Sequence, residues 1–107
     1  MATLSVQDVN TTGATPSFAA ATSGGDQFSN DGKTMLEVKS AGAAVTVTIA
    51  SQVTCNQGST HNQTVTVSSG GDKMIGPFDP NRFNDTSGYV QITYSQVTAI
   101  TVGAFQI

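Results

Sequence analysis

Residues 44–50 (AVTVTIA) alternate between apolar and hydroxyl side chains, with Val45, Val47 and Ile49 on one side of an extended chain and Thr46 and Thr48 on the other. A two-residue period fits a strand with one face in a core and the other in water, and a helix cannot satisfy it. Residues 33–39 (KTMLEVK) repeat the pattern, with Leu36 and Val38 opposite Met35, Glu37 and Lys39. Residues 63–68 (QTVTVS) set Val65 and Val67 inward, and residues 89–95 (YVQITYS) set Val90, Ile92 and Tyr94 against Tyr89, Gln91 and Thr93. The last strand carries Ile100 and Val102 on its core side. No segment holds helical periodicity over three turns, and turn formers separate the alternating runs. The pattern predicts an all-β fold, an antiparallel β-sandwich or small barrel of roughly six to seven strands. Its expected core is Leu36, Val38, Val45, Val47, Ile49, Val65, Val67, Val90, Ile92, Ile100 and Val102.

Ahead of these strands, residues 11–25 are small and polar, interrupted by Pro16 and with Phe18 as the one sizeable apolar group. Such a stretch has little to bury, so the chain divides into an extended N-terminal arm, 1–25, and a β-sandwich domain, 26–107. Leu4, Val6 and Val9 are the candidates for a short first strand. Residues 1–10 show neither a basic region nor an apolar run, so no signal peptide or membrane anchor is expected there. With 107 residues, one domain with a modest core is expected.

The segment 68–85 (SSGGDKMIGPFDPNRFND) concentrates turn formers, prolines, aromatics and the single arginine. Gly70 and Gly71 suit a tight turn, and Pro77 places Gly76-Pro77-Phe78 at a sheet edge or strand end because it cannot donate to a ladder. Asp79 and Pro80 fit the cap and first position of a short helical turn carrying Arg82 and Phe83. Ser23-Gly24-Gly25-Asp26 recurs as Ser69-Gly70-Gly71-Asp72, which reads more simply as reuse of one turn solution than as an internal repeat.

Chemistry is sparsely represented. Net charge is −3 and the basic residues Lys33, Lys39, Lys73 and Arg82 are scattered, so no stripe exists to neutralise several phosphates and nucleic acid is not an expected partner. Cys55 is the only cysteine, which leaves no internal disulfide. Cys55 and His61 share the polar loop 51–61, but neither an orienting third group nor an oxyanion site accompanies them, and the loop is expected to project into solvent. Asp72, Asp79, Asn81 and Asp85 offer oxygens, yet their spacing departs from a compact calcium loop and turn capping explains each separately. Tyr89 and Tyr94 fall on opposite faces and cannot form one platform for a sugar. No enzyme activity, cofactor or metal is therefore expected.

Four stretches taken in order carry a resemblance: GGDxFxNDGxTxLxVK (24–39), VTVTIA (45–50), GGDxxIGPFxPxxFND (70–85) and YxxVTxxTV (94–102). Together they resemble small head proteins of tailed bacteriophages encoded beside the major capsid protein, often interpreted as decoration or cement proteins. The likeness runs from Gly24 onward, about four fifths of the chain. It implies a virion location and the major capsid protein as partner; no membrane is expected. A homo-oligomer is expected because the core is small and Met74, Ile75, Phe78 and Phe83 form an apolar surplus that one thin domain would leave uncovered, and it is taken as a trimer because capsid lattices offer threefold sites. The expected contact residues are Phe18, Phe28, Met74, Ile75, Phe78, Arg82 and Phe83, apolar or planar groups that a thin domain would leave uncovered. The other readings are a glycan-binding or adhesion module on the virion surface and a neck or tail structural protein.

Overall fold

The computed structural model describes residues 2–54, 57–58 and 61–107. Among these described residues, ten strands and one helical turn follow in the order β1 (Ala2–Leu4), β2 (Val6–Asp8), β3 (Ala19–Ala20), β4 (Asp26–Ser29), β5 (Thr34–Ser40), β6 (Val45–Ile49), β7 (Gln63–Val67), β8 (Asp72–Ile75), α1 (Pro80–Phe83), β9 (Tyr89–Tyr94) and β10 (Ile100–Gln106). They form two packed sheets. The first has the order β1-β4-β9-β6-β7; the second has the order β2-β10-β5-β8, with β3 also pairing β10. The fold is an all-β sandwich, as the alternation predicts.

Two features differ from expectation. The sheets are mixed, because β1 runs parallel to β4 and β2 parallel to β10. The strand number exceeds six or seven because residues 1–25 do not stand off as an arm: β1 joins the first sheet while β2 and β3 join the second. Short extended segments with little to bury gain order by completing the hydrogen bonds of strands that would otherwise be edges. The carboxylate of Asp26 adds a local anchor. It is fully buried and accepts from the backbone N–H groups of Ala2 and Thr22, at 3.2 Å each, and from the Tyr94 hydroxyl at 2.7 Å. Burial, with the Asp26 hydrogen bond and charge, pushes the Tyr94 phenol far above its ordinary value, so it stays protonated as the donor.

Alternation is followed closely in the core. Along β5 every second residue is buried, and Val45, Val47 and Ile49 of β6 are 1% exposed or less. All the expected core residues are buried except Val65, which is half-buried because β7 is the outermost strand of its sheet. Phe28, Phe78 and Phe83 close one end of the core, with ring centroids 5.6 Å apart between Phe28 and Phe78 and again between Phe78 and Phe83. Asp79 caps α1 by accepting from Asn81 N–H at 2.9 Å, and Pro80 opens the turn, as read from the sequence.

Among the described residues, one buried side-chain polar atom lacks a partner. Thr34 is 1% exposed and its Oγ1 makes no hydrogen bond. An unpaired buried hydroxyl costs about 1–3 kcal/mol, so Thr34→Val is expected to stabilise the fold by about 1 kcal/mol and to raise the melting temperature by about 4–8 °C. A thermal melt at neutral pH checks it; an unchanged or lower midpoint would show that the hydroxyl is satisfied.

Candidate functional site

The two outer faces of the sandwich differ in chemistry. On the first sheet, the register pairs Thr46 with Thr66, Thr48 with both Thr64 and Thr93, and Gln27 with Gln91. These residues lie between the buried positions of their strands and so point outward. Thr3, Gln27 and Gln91 form a hydrogen-bonded row: Gln27 Nε2 donates to Thr3 Oγ1 at 2.9 Å, and Gln91 Nε2 donates to Gln27 Oε1 at 2.8 Å. The Gln91 amide also donates to Asp85 Oδ2 at 2.8 Å, at the rim. Asp85 is held below its ordinary range chiefly by the Tyr89 backbone N–H, with Gln91 assisting. None of the outward residues of β4, β6, β7 and β9 carries a formal charge at neutral pH.

The outer face of the second sheet is both charged and apolar. Met35, Glu37 and Lys39 of β5 stand opposite Phe105, Gly103 and Thr101 of β10. Residues 9–18 cross this side as a strap, clamped at its base by one side chain. Gln7 Nε2 donates to Ser17 O at 2.7 Å while Ser17 N–H donates to Gln7 Oε1 at 2.8 Å. Phe18 returns over the sheet, edge-on to Phe105 with centroids 5.8 Å apart, and Lys39 Nζ sits 4.0 Å from the Phe18 ring centroid. Gly103 makes room for this packing, since a Cβ there would lie 3.1 Å from both the Phe18 and Phe105 rings. Between strap and sheet runs a groove of about 210 Å³ lined by Gln7, Val9, Ala14, Pro16, Glu37, Met74 and Phe105. Val9 and Met74, 51% and 54% exposed, bring apolar surface together from two distant parts of the chain.

Glu37 lies in this groove with its pKa above the ordinary 4.5, first because it is partly desolvated, then because Asp72 hydrogen-bonds to it and repels its charge. The unfolded chain ionises Glu37 at the ordinary value. Through the window from there up to the raised folded value the folded state keeps the additional proton, so stability falls as pH rises. Glu37→Gln is therefore expected to melt higher than the native chain at pH 7. The advantage should disappear below about pH 4, where both states are protonated. Melting curves across that range check the sign; an advantage of equal size at all pH values would point to packing instead of charge.

The expected contact residues separate into two groups. Met74 is exposed and Phe18 half-buried on the outer face of the second sheet, while Ile75, opposite the buried Leu36, is half-buried against the core. Phe28, Phe78 and Phe83 are core residues, 0%, 3% and 6% exposed, and are not available to a partner. Arg82 is engaged within the chain: its guanidinium lies 4.6 Å from the Phe83 ring centroid and Nη2 donates to His61 O at 2.7 Å, tying the base of the loop 51–62 to α1. The apolar surplus taken as a reason for oligomerisation is thus mostly internal. Sequence reasoning missed Val9 and Phe105. An apolar residue isolated in a polar segment was the available signal for Val9.

Among the described residues, the carboxylates offered as calcium ligands are engaged separately. Asp79 is occupied in capping α1, Asp85 accepts from Ser87 and Tyr89 N–H groups, and Asp72 lies beside Glu37. Among the described residues no group of three or more His, Cys, Asp or Glu side chains could hold a metal. Cys55 lies outside the described residues, and His61 is exposed. The two Gly-Gly-Asp turns do different work: Asp26 is a buried anchor, whereas Asp72 is exposed at the start of β8 after a turn closed by Gly71 N–H donating to Ser68 O at 2.7 Å. Among the described residues no helix is long and apolar enough to cross a membrane. No protein-family model, curated protein or solved structure matches this chain.

Proposed function

We propose that this chain is a structural protein of a phage virion that decorates the head by docking on the major capsid protein. Its contact surface is the outer face of the second sheet. The observation that carries the reading is the groove where Val9 and Met74 meet, flanked by Glu37. Exposed apolar side chains gathered from separate segments and rimmed by polar groups are typical of protein contact sites. The resemblance of the ordered sequence words to small phage head proteins is what points to the major capsid protein as the partner. A contact of this size is weak by itself, and repetition over a lattice multiplies it.

Co-sedimentation with undecorated capsids tests the reading. Native protein is expected to pellet with capsids, and Met74→Asp combined with Val9→Asp to weaken binding by roughly tenfold or more. Thr48→Lys, on the opposite face, is expected to bind as the native chain does. The hydroxyl and amide face of the first sheet is the feature that favours the rival reading, a glycan-binding module. Binding to a glycan array that Thr48→Lys abolishes, with no capsid binding, would replace the proposal.

A further inference from the structure

Among the described residues, each sheet of the sandwich ends in strands paired on one side only, and these differ in how they are protected. At the edge of the first sheet formed by β1 there are only three residues. On the second sheet, β2 and β3 are three and two residues long and share one side of β10. Strand β8 at the other side carries Asp72 and Lys73 and runs into Gly76-Pro77. Short strands, charges and proline all discourage pairing with another chain. Strand β7 has none of these devices. It is a five-residue run of Gln63-Thr64-Val65-Thr66-Val67, terminal in its sheet, with Gln63, Thr64 and Thr66 exposed.

We infer that β7 pairs with β7 of a second copy, antiparallel about a twofold axis through Val65, joining two five-stranded sheets into one continuous sheet. The reason is self-complementarity. Inside the chain β7 is matched by β6, with Val47 opposite Val65, Thr46 opposite Thr66, Thr48 opposite Thr64 and Ile49 opposite Gln63. A second β7 centred on Val65 offers the same partners: valine opposite valine, Thr64 opposite Thr66, and Gln63 opposite an aliphatic residue, Val67. Thr–Thr and β-branched pairs are favourable cross-strand neighbours. The twofold stands perpendicular to the sheet, so the threonine face stays on the same side in both copies. No formal charge lies on the mated strands, and two copies that each carry −3 meet without like charges at the contact. Pairing also closes on itself, because the outer edges of the joined sheet are the two short β1 strands, so the product is a dimer and not a fibre.

This edge lies on the first sheet, and its test does not depend on capsid binding. Sedimentation equilibrium of the native chain up to about 1 mM is expected to show a monomer–dimer equilibrium, weak because a strand-edge contact is small. Thr64→Lys with Thr66→Lys sets like charges across the axis and is expected to weaken the dimer at least tenfold, with strand circular dichroism and melting midpoint retained. In a Cys55→Ser background, Val65→Cys is expected to give covalent dimer with a short bis-maleimide, each maleimide adding one thiol, whereas Thr3→Cys on the β1 edge is not. A native chain that stays monomeric throughout, a lysine variant that folds and still dimerises, or crosslinking through Thr3→Cys in preference to Val65→Cys would each overturn the inference. Should the lysine variant fail to fold, the two crosslinking variants decide.

Discussion

Gly25→Ala is expected to cost about 4 kcal/mol or more and to lower the melting midpoint by more than about 15 °C, while Gly24→Ala, one residue earlier, loses only about 1 kcal/mol. Both glycines have positive φ, +92° at Gly24 and +105° at Gly25, so both variants bear backbone strain. Their surroundings set them apart. A Cβ on Gly24 meets nothing within 4 Å, whereas one on Gly25 would lie 2.4 Å from the carbonyl oxygen of Ile92 and 3.1 Å from Cγ2 of Thr93. That oxygen belongs to the backbone of β9, the strand that pairs β4 with Asp26 opposite Ile92. Relief requires the two strands to part at the residue whose carboxylate holds β1 and the backbone at Thr22 in place. Overpacking typically costs 1–3 kcal/mol, and with strain and loss of the Asp26 anchor the total reaches about 4 kcal/mol or more, against about 5–15 kcal/mol for a whole domain. Melting both variants side by side is the check. Equal midpoints for the two would mean that β4 and β9 are not held as close as the contact requires.

Phe78→Ala is expected to cost about 3–5 kcal/mol and to lower the melting midpoint by more than about 10 °C. Phe78 is 3% exposed and bridges the rings of Phe28 and Phe83, so truncation opens a cavity at the centre of that cluster. Its carbonyl also accepts from Asn30 Nδ2 at 3.1 Å, and Asn30 exchanges hydrogen bonds with Asn84, so backbone movement there would disturb the buried link between the 30–33 turn and the end of α1. A residue reserved for a partner would behave in the opposite way: the variant would melt as the native chain does and lose only binding. Thermal denaturation of Phe78→Ala beside Met74→Ala separates the two roles, since the exposed Met74 is expected to shift the midpoint by less than about 0.5 kcal/mol equivalent.

The alternating runs were legible because strand periodicity is local: whether residues i and i+2 share a face depends on the extended backbone alone. The cap at Asp79 and the stop at Pro77 were legible for the same reason, being written in residue types that restrict their own φ or satisfy their own turn. Left-handed Ala99, with φ 60°, was not, since its residue type carries no such signal. For the candidate site, Met74 was legible as an exposed apolar group next to a strand end. Val9 was not, because its role depends on a strap that brings residue 9 beside residue 74.

By itself the sequence determined an all-β fold, a sandwich or small barrel, with the inward set from Leu36 to Val102 and the helical turn at Pro80, all consequences of contacts within a few residues. Tertiary structure alone decided which strands meet. Every pairing but the β6–β7 hairpin joins strands that are not consecutive along the chain, including the parallel pairs of β1 with β4 and β2 with β10. Three-residue strands carry too little periodicity to announce a register, so the N-terminal segment takes its place from the edges that the rest of the sandwich leaves open. The same holds for the aromatics. Phe28, Phe78 and Phe83 are apolar wherever they stand, and they become core because β4, the 76–79 connection and α1 converge on one end of the sandwich, while Met74, on the outermost strand of the second sheet, stays more than half exposed at the groove beside the 9–18 strap.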